Sequence, residues 1–309
     1  MTTHLESAKA SNPVPPGGAF GRRAFGRLAI GRLAILGIAG GALLVAAGSA
    51  QAGRGSSPQA VLSAISSGSP DAIKSELERS EYLVCAACVD YVLPLIDSSD
   101  VTVREAAGWW LVRRGSGRQV YTDMLNRLSQ PDSTKARNAA DVLGAFARPQ
   151  AIPALGAALS NPIYTGEARA AMARALGTIR RPAATAPLMA VLGDAEPMVR
   201  AASLQALRNV EGFSDGTAGV PLLTDTDENV RIQAIFLVAQ FRAQAGAPAL
   251  VQILGTDASA SVRKRAAWAL GQMHAPASIA AAALTQASQG DASPLVRSLA
   301  RSALVGLSP

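Results

Sequence analysis

The chain is poor in the residues that usually carry chemistry. Aromatic side chains make up 4% of its 309 residues, and there are two histidines and two cysteines. No stretch alternates apolar and polar residues at period two, which argues against strands. There is no phosphate-cradling glycine loop, no nucleophile elbow and no carboxylate pair set apart from turns, so hydrolase and nucleotide-dependent chemistry lack their usual signatures. A concentrated basic stripe, the footprint of a nucleic-acid binder, is also missing. The formal net charge is +7, but the first 52 residues hold Lys9, Arg22, Arg23, Arg27 and Arg32 against Glu6 alone. The remainder has 24 basic and 21 acidic side chains, and Lys264-Arg265 is its one local cluster.

What the chain has in quantity is Ala and Leu, arranged with a long period. Val103-Arg104, Ala168-Arg169, Val199-Arg200, Val230-Arg231, Val262-Arg263 and Val296-Arg297 recur, with Ala136 in the arginine slot of a second copy. Eight residues after each first member stands Leu111, Leu143, Leu176, Leu207, Val238, Leu270 or Leu304, often followed by Gly. Successive intervals are 32, 33, 31, 31, 32 and 34 residues. A period of this size means one helical hairpin repeated into a solenoid. Ala266, Ala267, Ala269 and Leu270 lay a small-residue stripe along one helix face, which lets a neighbour approach closely. Shorter first helices are expected at 183–192, 244–254 and 276–287, with Pro153, Pro187, Pro221 and Pro248 in tolerated early or kinked positions. Asp194, Asp225, Asp257 and Asp291 each stand six residues before a repeat arginine. They suit helix starts and a ladder with the arginine one repeat over.

On these anchors residues 83–309 resemble HEAT repeats of the short bacterial kind named after phycobilisome lyases. The resemblance implies an all-α, right-handed armadillo/HEAT-like superhelix of about seven hairpins, with the second helices lining a concave surface. Such solenoids mostly bind proteins or peptides. Deoxyhypusine hydroxylase shares the architecture, but its paired His-Glu iron ligands have no counterpart here, and phycobilin lyase chemistry does not follow from fold alone. No cofactor or metal is called for, and nothing speaks to oligomeric state.

Residues 1–52 read as a targeting segment. The apolar stretch 33–47 spans 15 residues, short for a membrane helix of about 20, and Ala50-Gln51-Ala52 before Gly53 is a small-x-small cleavage signal. Gly21-Arg22-Arg23-Ala24-Phe25 is similar to a twin-arginine signal, although Gly26 stands where Leu is usual; a general secretory signal fits as well. Both routes lead to a periplasmic or secreted bacterial location, with no membrane span left after cleavage. Residues 53–82 form a lead-in and two cap helices, at 58–66 and 70–80, that cover the first apolar face.

The first repeat departs most from the others. Cys85-Ala86-Ala87-Cys88 is expected in its first helix, with both sulfurs on one side. The pair fits a structural disulfide in an oxidising compartment, two packed thiols, or a redox pair serving a cofactor-bearing partner. Val89 stands where haem attachment requires His, and a zinc site lacks two ligands. Trp110 replaces the Ala of sibling repeats and is expected to fill space under the cap. Two residues before each leucine slot runs a variable row: Trp109, Asp141, Arg174, Gln205, Phe236, Trp268 and Ser302. By the resemblance this row faces the groove. Trp109, Phe236 and Trp268 are then the partner anchors, with Arg174, Lys264 and Arg265 setting the charge around them. The reading is a non-catalytic exported scaffold for a protein or peptide; the alternative is an accessory redox or cofactor-maturation protein using Cys85 and Cys88.

Overall fold

The computed structural model describes residues 55–307. The expected targeting segment, with Arg22, Arg23 and the cleavage residues Ala50, Ala52 and Gly53, lies outside the described residues. Fifteen α-helices follow in order. A leading pair, α1 (Pro58–Ser66) and α2 (Pro70–Arg79), precedes seven hairpins. The first six residue spans in the hairpins are α3 (Ala86–Val92) with α4 (Val101–Leu111), α5 (Gly117–Arg127) with α6 (Ser133–Phe146), and α7 (Ile152–Leu159) with α8 (Gly166–Ile179). Then come α9 (Thr185–Ala190) with α10 (Pro197–Leu207), a 3-10 segment (Gly216–Thr224) with α11 (Glu228–Gln240), α12 (Ala247–Thr256) with α13 (Ala260–Gln272), and α14 (Ala277–Gly290) with α15 (Pro294–Val305). The fold is an all-α solenoid.

The first helices are less regular than their sequence suggests, and proline is the reason. Pro182–Ala184 and Gln244–Gly246 are 3-10 turns leading into α9 and α12. Pro153 and Pro248 occupy first-turn positions of α7 and α12, where the missing amide costs nothing. Pro221 lies inside the 3-10 segment of the fifth hairpin, which never becomes α-helical.

The second helices carry the packing. Ala266, Ala267, Ala269 and Leu270 are completely buried, as are Ala139, Ala140, Ala171, Leu176, Leu204 and Leu207. Consecutive second helices (α4, α6, α8, α10, α11, α13, α15) stack on each other throughout, whereas the first helices touch their counterparts less. The Leu-Gly pairs explain the close approach. A Cβ on Gly177 would lie 2.7 Å from the Ala206 Cα, and one on Gly271 would lie 2.9 Å from the Ala303 Cα. The second helices thus form the closely packed row of the stack.

The leading pair behaves as a degenerate extra hairpin: α1 packs on α3 and α2 on α4. Trp110 is fully buried beneath it, with Nε1 donating to Ser80 Oγ at 2.9 Å. Arg114 stacks its guanidinium 3.4 Å from the Trp110 ring centroid and donates to the Ser80 and Glu81 carbonyls at 3.0 and 3.1 Å. Burial and the neighbouring Arg113 pull Arg114 down to about 10.

The ladder runs through the last four junctions. Arg169 pairs with Asp194, Arg200 with Asp225, Arg231 with Asp257 and Arg263 with Asp291. Each aspartate comes from the next hairpin, and each arginine from Arg200 onward also donates to the carbonyl of the Asp in its own turn. The Asp side chains accept the amide two residues on, at Glu196, Asp227, Ser259 and Ser293, one step before the helix starts. They therefore brace the turn, and other residues sit at the cap position itself, such as Asp227 on α11. Upstream the pattern fails. Ala136 offers no guanidinium, and Arg137 instead pairs with Glu167 at 2.7 Å.

The ladder makes stability acid-sensitive. The Arg263 hydrogen bonds, aided by the Ser293 amide, hold the Asp291 carboxyl below the usual carboxylate range. A depressed folded value contributes stability in full above the unfolded value of about 3.9, and loses it as pH falls through the folded one. The wild-type melting temperature should therefore drop between pH 6 and pH 3. Asp291→Asn should melt lower at pH 6 and lose less over the same interval; equal losses would show that this rung is not responsible.

Candidate partner-binding face

Trp109, Asp141, Arg174, Phe236 and Trp268 each fall on their second helix, on α4, α6, α8, α11 and α13 respectively, but they do not form one continuous row of anchors. Trp109 is half-buried, with the Arg113 guanidinium 4.1 Å from its ring centroid. Arg113 is held there by the Trp109 carbonyl at 2.7 Å and by Glu81 at 3.0 Å. Asp141, expected to look outward, is turned inward and 4% exposed. Arg104, lacking a ladder aspartate in the next turn, takes Asp141 instead, through Nε at 3.0 Å and Nη2 at 2.5 Å. Arg174 is exposed, with Nη2 3.7 Å from the other Asp141 oxygen. Burial, with Asp141 adding to it, pushes the Glu105 carboxyl up.

The other end is different. Phe236 and Trp268 occupy equal slots of consecutive hairpins, and their rings meet edge to face with centroids 5.6 Å apart, a favourable aromatic geometry. Two guanidiniums flank Phe236: Arg265 at 5.7 Å and Arg208 at 5.1 Å from the ring centroid. Arg208 caps the C-terminus of α10 and donates to Gln233 Oε1 at 2.9 Å, while its carbonyl accepts from Gln240 at 3.0 Å. Arg265 donates to the Ser261 carbonyl at 2.9 Å. Lys264 is half-buried beside them on α13. Among the described residues none of these three cations has a carboxylate within ion-pair distance. Trp268 also lines a shallow depression of about 220 Å³ with Gln272, Leu299 and Ser302.

Three hairpins thus bring together Arg208, Phe236, Arg265 and Trp268, and they leave Trp109 and Arg174 on other hairpins. Arg208 is the member that sequence reasoning missed. Its signal was present: the slot after the helix leucine is Gly144, Gly177 and Gly271 in three hairpins but Arg208 in the fourth.

Cys85 and Cys88 are joined in a disulfide with Cα atoms 5.3 Å apart. The pair is not wholly within a helix, as its spacing suggested. Cys85 is the extended residue capping α3, and its Sγ accepts the Cys88 amide at 3.1 Å. Cys88 is buried, whereas Cys85 is half-buried beside Tyr82 and Val84, which are 87% and 98% exposed. Among the described residues no group of His, Cys, Asp and Glu could hold a metal ion, and no helix is long and apolar enough to cross a membrane.

The family profile for HEAT repeats matches residues 121–208 and 219–305. No curated protein matches the chain. Among solved structures, the Escherichia coli protein YibA is similar at 17% identity, over 76% of this chain and 87% of its own, with a TM-score of 0.50. The CpcE–CpcF complex of phycocyanin lyase from Nostoc aligns at 20% identity over 73% of this chain and 97% of that one, with a TM-score of 0.40. A designed armadillo repeat protein in complex with the peptide (KR)4 aligns at 18% identity over 81% and 99%, with a TM-score of 0.42. At these identities the likeness is one of fold.

Proposed function

The chain belongs to the HEAT-repeat family, and from that premise we propose that it is a non-catalytic scaffold, exported to a bacterial periplasm or beyond, that holds a protein or peptide on its second-helix face. A repeat scaffold of this kind fits a protein-binding role. The observation that carries the proposal is the cluster of Phe236 and Trp268 with Arg208 and Arg265 flanking the Phe236 ring. Aromatic and arginine side chains are the types that dominate binding energy at protein interfaces. Both rings are only half-buried in the free protein, which leaves surface for a partner. Export rests on the signal-like residues 1–52, with cleavage after Ala52, and the twin-arginine and general routes both remain compatible with Arg22-Arg23. The exposed Tyr82 and Val84 beside Cys85 favour a second reading, in which the disulfide serves a cofactor-bearing partner. Neighbouring genes for cytochromes or copper proteins would point that way.

The test compares Trp268→Ala with Trp110→Ala. Truncating an interface aromatic costs about 2 kcal/mol or more of binding. Immobilised Trp268→Ala should therefore lose the partner that the wild type retains from periplasmic extract, with little change in melting. Early melting with capture intact would make Trp268 a core residue and overturn the proposal.

A further inference from the structure

We propose that Arg208, Gln233, Phe236, Arg265 and Trp268, with Leu299 beside them, form a subsite for an acidic peptide segment, seating a carboxylate on the Arg208 guanidinium, with Arg265 as a second cation flanking the same Phe236 ring, and the adjoining apolar side chain in the depression by Trp268. This rests on the reading of the second-helix face as a partner surface and names the chemistry of that partner.

The argument is one of charge left uncompensated. The buried or half-buried arginines of the ladder each close on an aspartate. Arg208 does not. Burial lowers its affinity for the proton, and no acid offsets that loss. A guanidinium carries five N–H donors. Here Nη1 has the neutral amide of Gln233, and among the described residues Nε and Nη2 have no acceptor. Neither nitrogen is sealed from solvent, so an incoming carboxylate can reach both with charge-assisted bonds. Arg265 approaches the same ring from hairpin six, so two positive groups flank Phe236 where hairpins four, five and six meet. Further along the face, Trp268 and Leu299 give the depression apolar walls for a neighbouring side chain.

The experiment uses the full chain and three fluorescent decapeptides, alternating Glu-Leu, Gln-Leu and Lys-Leu, with binding read by anisotropy. The Glu-Leu peptide should bind at least about tenfold more tightly than the other two, in line with charge-assisted hydrogen bonds, and should weaken as salt rises. Arg208→Gln should lower its affinity about tenfold or more without lowering the melting temperature, and Arg208→Lys should recover only part, since a point charge replaces a planar fork. Equal binding of Glu-Leu and Gln-Leu, unaffected by Arg208→Gln yet abolished by Trp268→Ala, would overturn the carboxylate subsite and keep the partner face. No binding of any peptide at millimolar concentration would also overturn the subsite, and the capture test on natural extract would then judge the face separately.

Discussion

Asp141→Ala is expected to lower stability by about 3–5 kcal/mol, the cost of orphaning one partner of a buried ion pair. The Asp141 carboxylate is 1% exposed and the Arg104 side chain 3% exposed. Without Asp141, Arg104 keeps only the Ser98 and Ser99 carbonyls, at 2.6 and 2.9 Å, and its Nε and Nη2 are left buried and unpaired. Urea unfolding measures the loss. The pair itself should be worth far less than the single deletion suggests, so Arg104→Met combined with Asp141→Leu should recover most of the stability. A double variant as unstable as Asp141→Ala would show that the ion pair holds α4 to α6 in a way apolar packing cannot replace.

Trp110→Ala should cost about 3–5 kcal/mol as a large core truncation, and its effect should be regional. The indole is the platform on which Arg114 lies and the donor that engages Ser80. Both contacts bind the leading helix pair to the first hairpin. Amide hydrogen exchange in α1 and α2 should therefore accelerate much more than exchange in α11 or α13, and protease should cut first near Gly68, between the two helices. Uniform acceleration along the chain would mean that the solenoid unfolds as a single cooperative body. Trp110→Phe, which keeps most of the volume and loses the Ser80 bond, should fall between wild type and Ala.

Most of the architecture was legible because it is written seven times. Five of the seven hairpins repeat the same Val-Arg start and six the leucine slot, so a local accident such as Ala136 does not obscure the period. The aspartate ladder was legible for the same reason, since its partners sit at constant offsets. What repetition could not reveal is what happens where one member is missing. Arg104 has no ladder aspartate in the next turn, so it captured Asp141 and drew that residue out of the outward row; nothing in the spacing distinguishes Asp141 from Arg174 or Gln205. Arg208 was hidden differently. It interrupts the Leu-Gly pairs, but its role depends on reaching across to Phe236 in the next hairpin. That is a tertiary contact between slots of different register. Trp109 illustrates the converse: its slot marked it as an anchor, and the guanidinium four residues on covers it.

Each rung of the ladder is half supplied by one hairpin and half by the next, and every hairpin from the fourth to the sixth carries both halves. The spine therefore has a grammar that tolerates editing by whole words. Excising residues 201–231 would join Arg200 to the helix that now follows Arg231, leaving Arg200 opposite Asp257 and Asp194 in the place of Asp225, with no rung short of a partner. The same cut removes Arg208 while sparing Phe236 and Trp268. Length and ligand chemistry therefore change together at this hairpin: the spine closes with its rungs paired, while the proposed carboxylate subsite loses the Arg208 guanidinium.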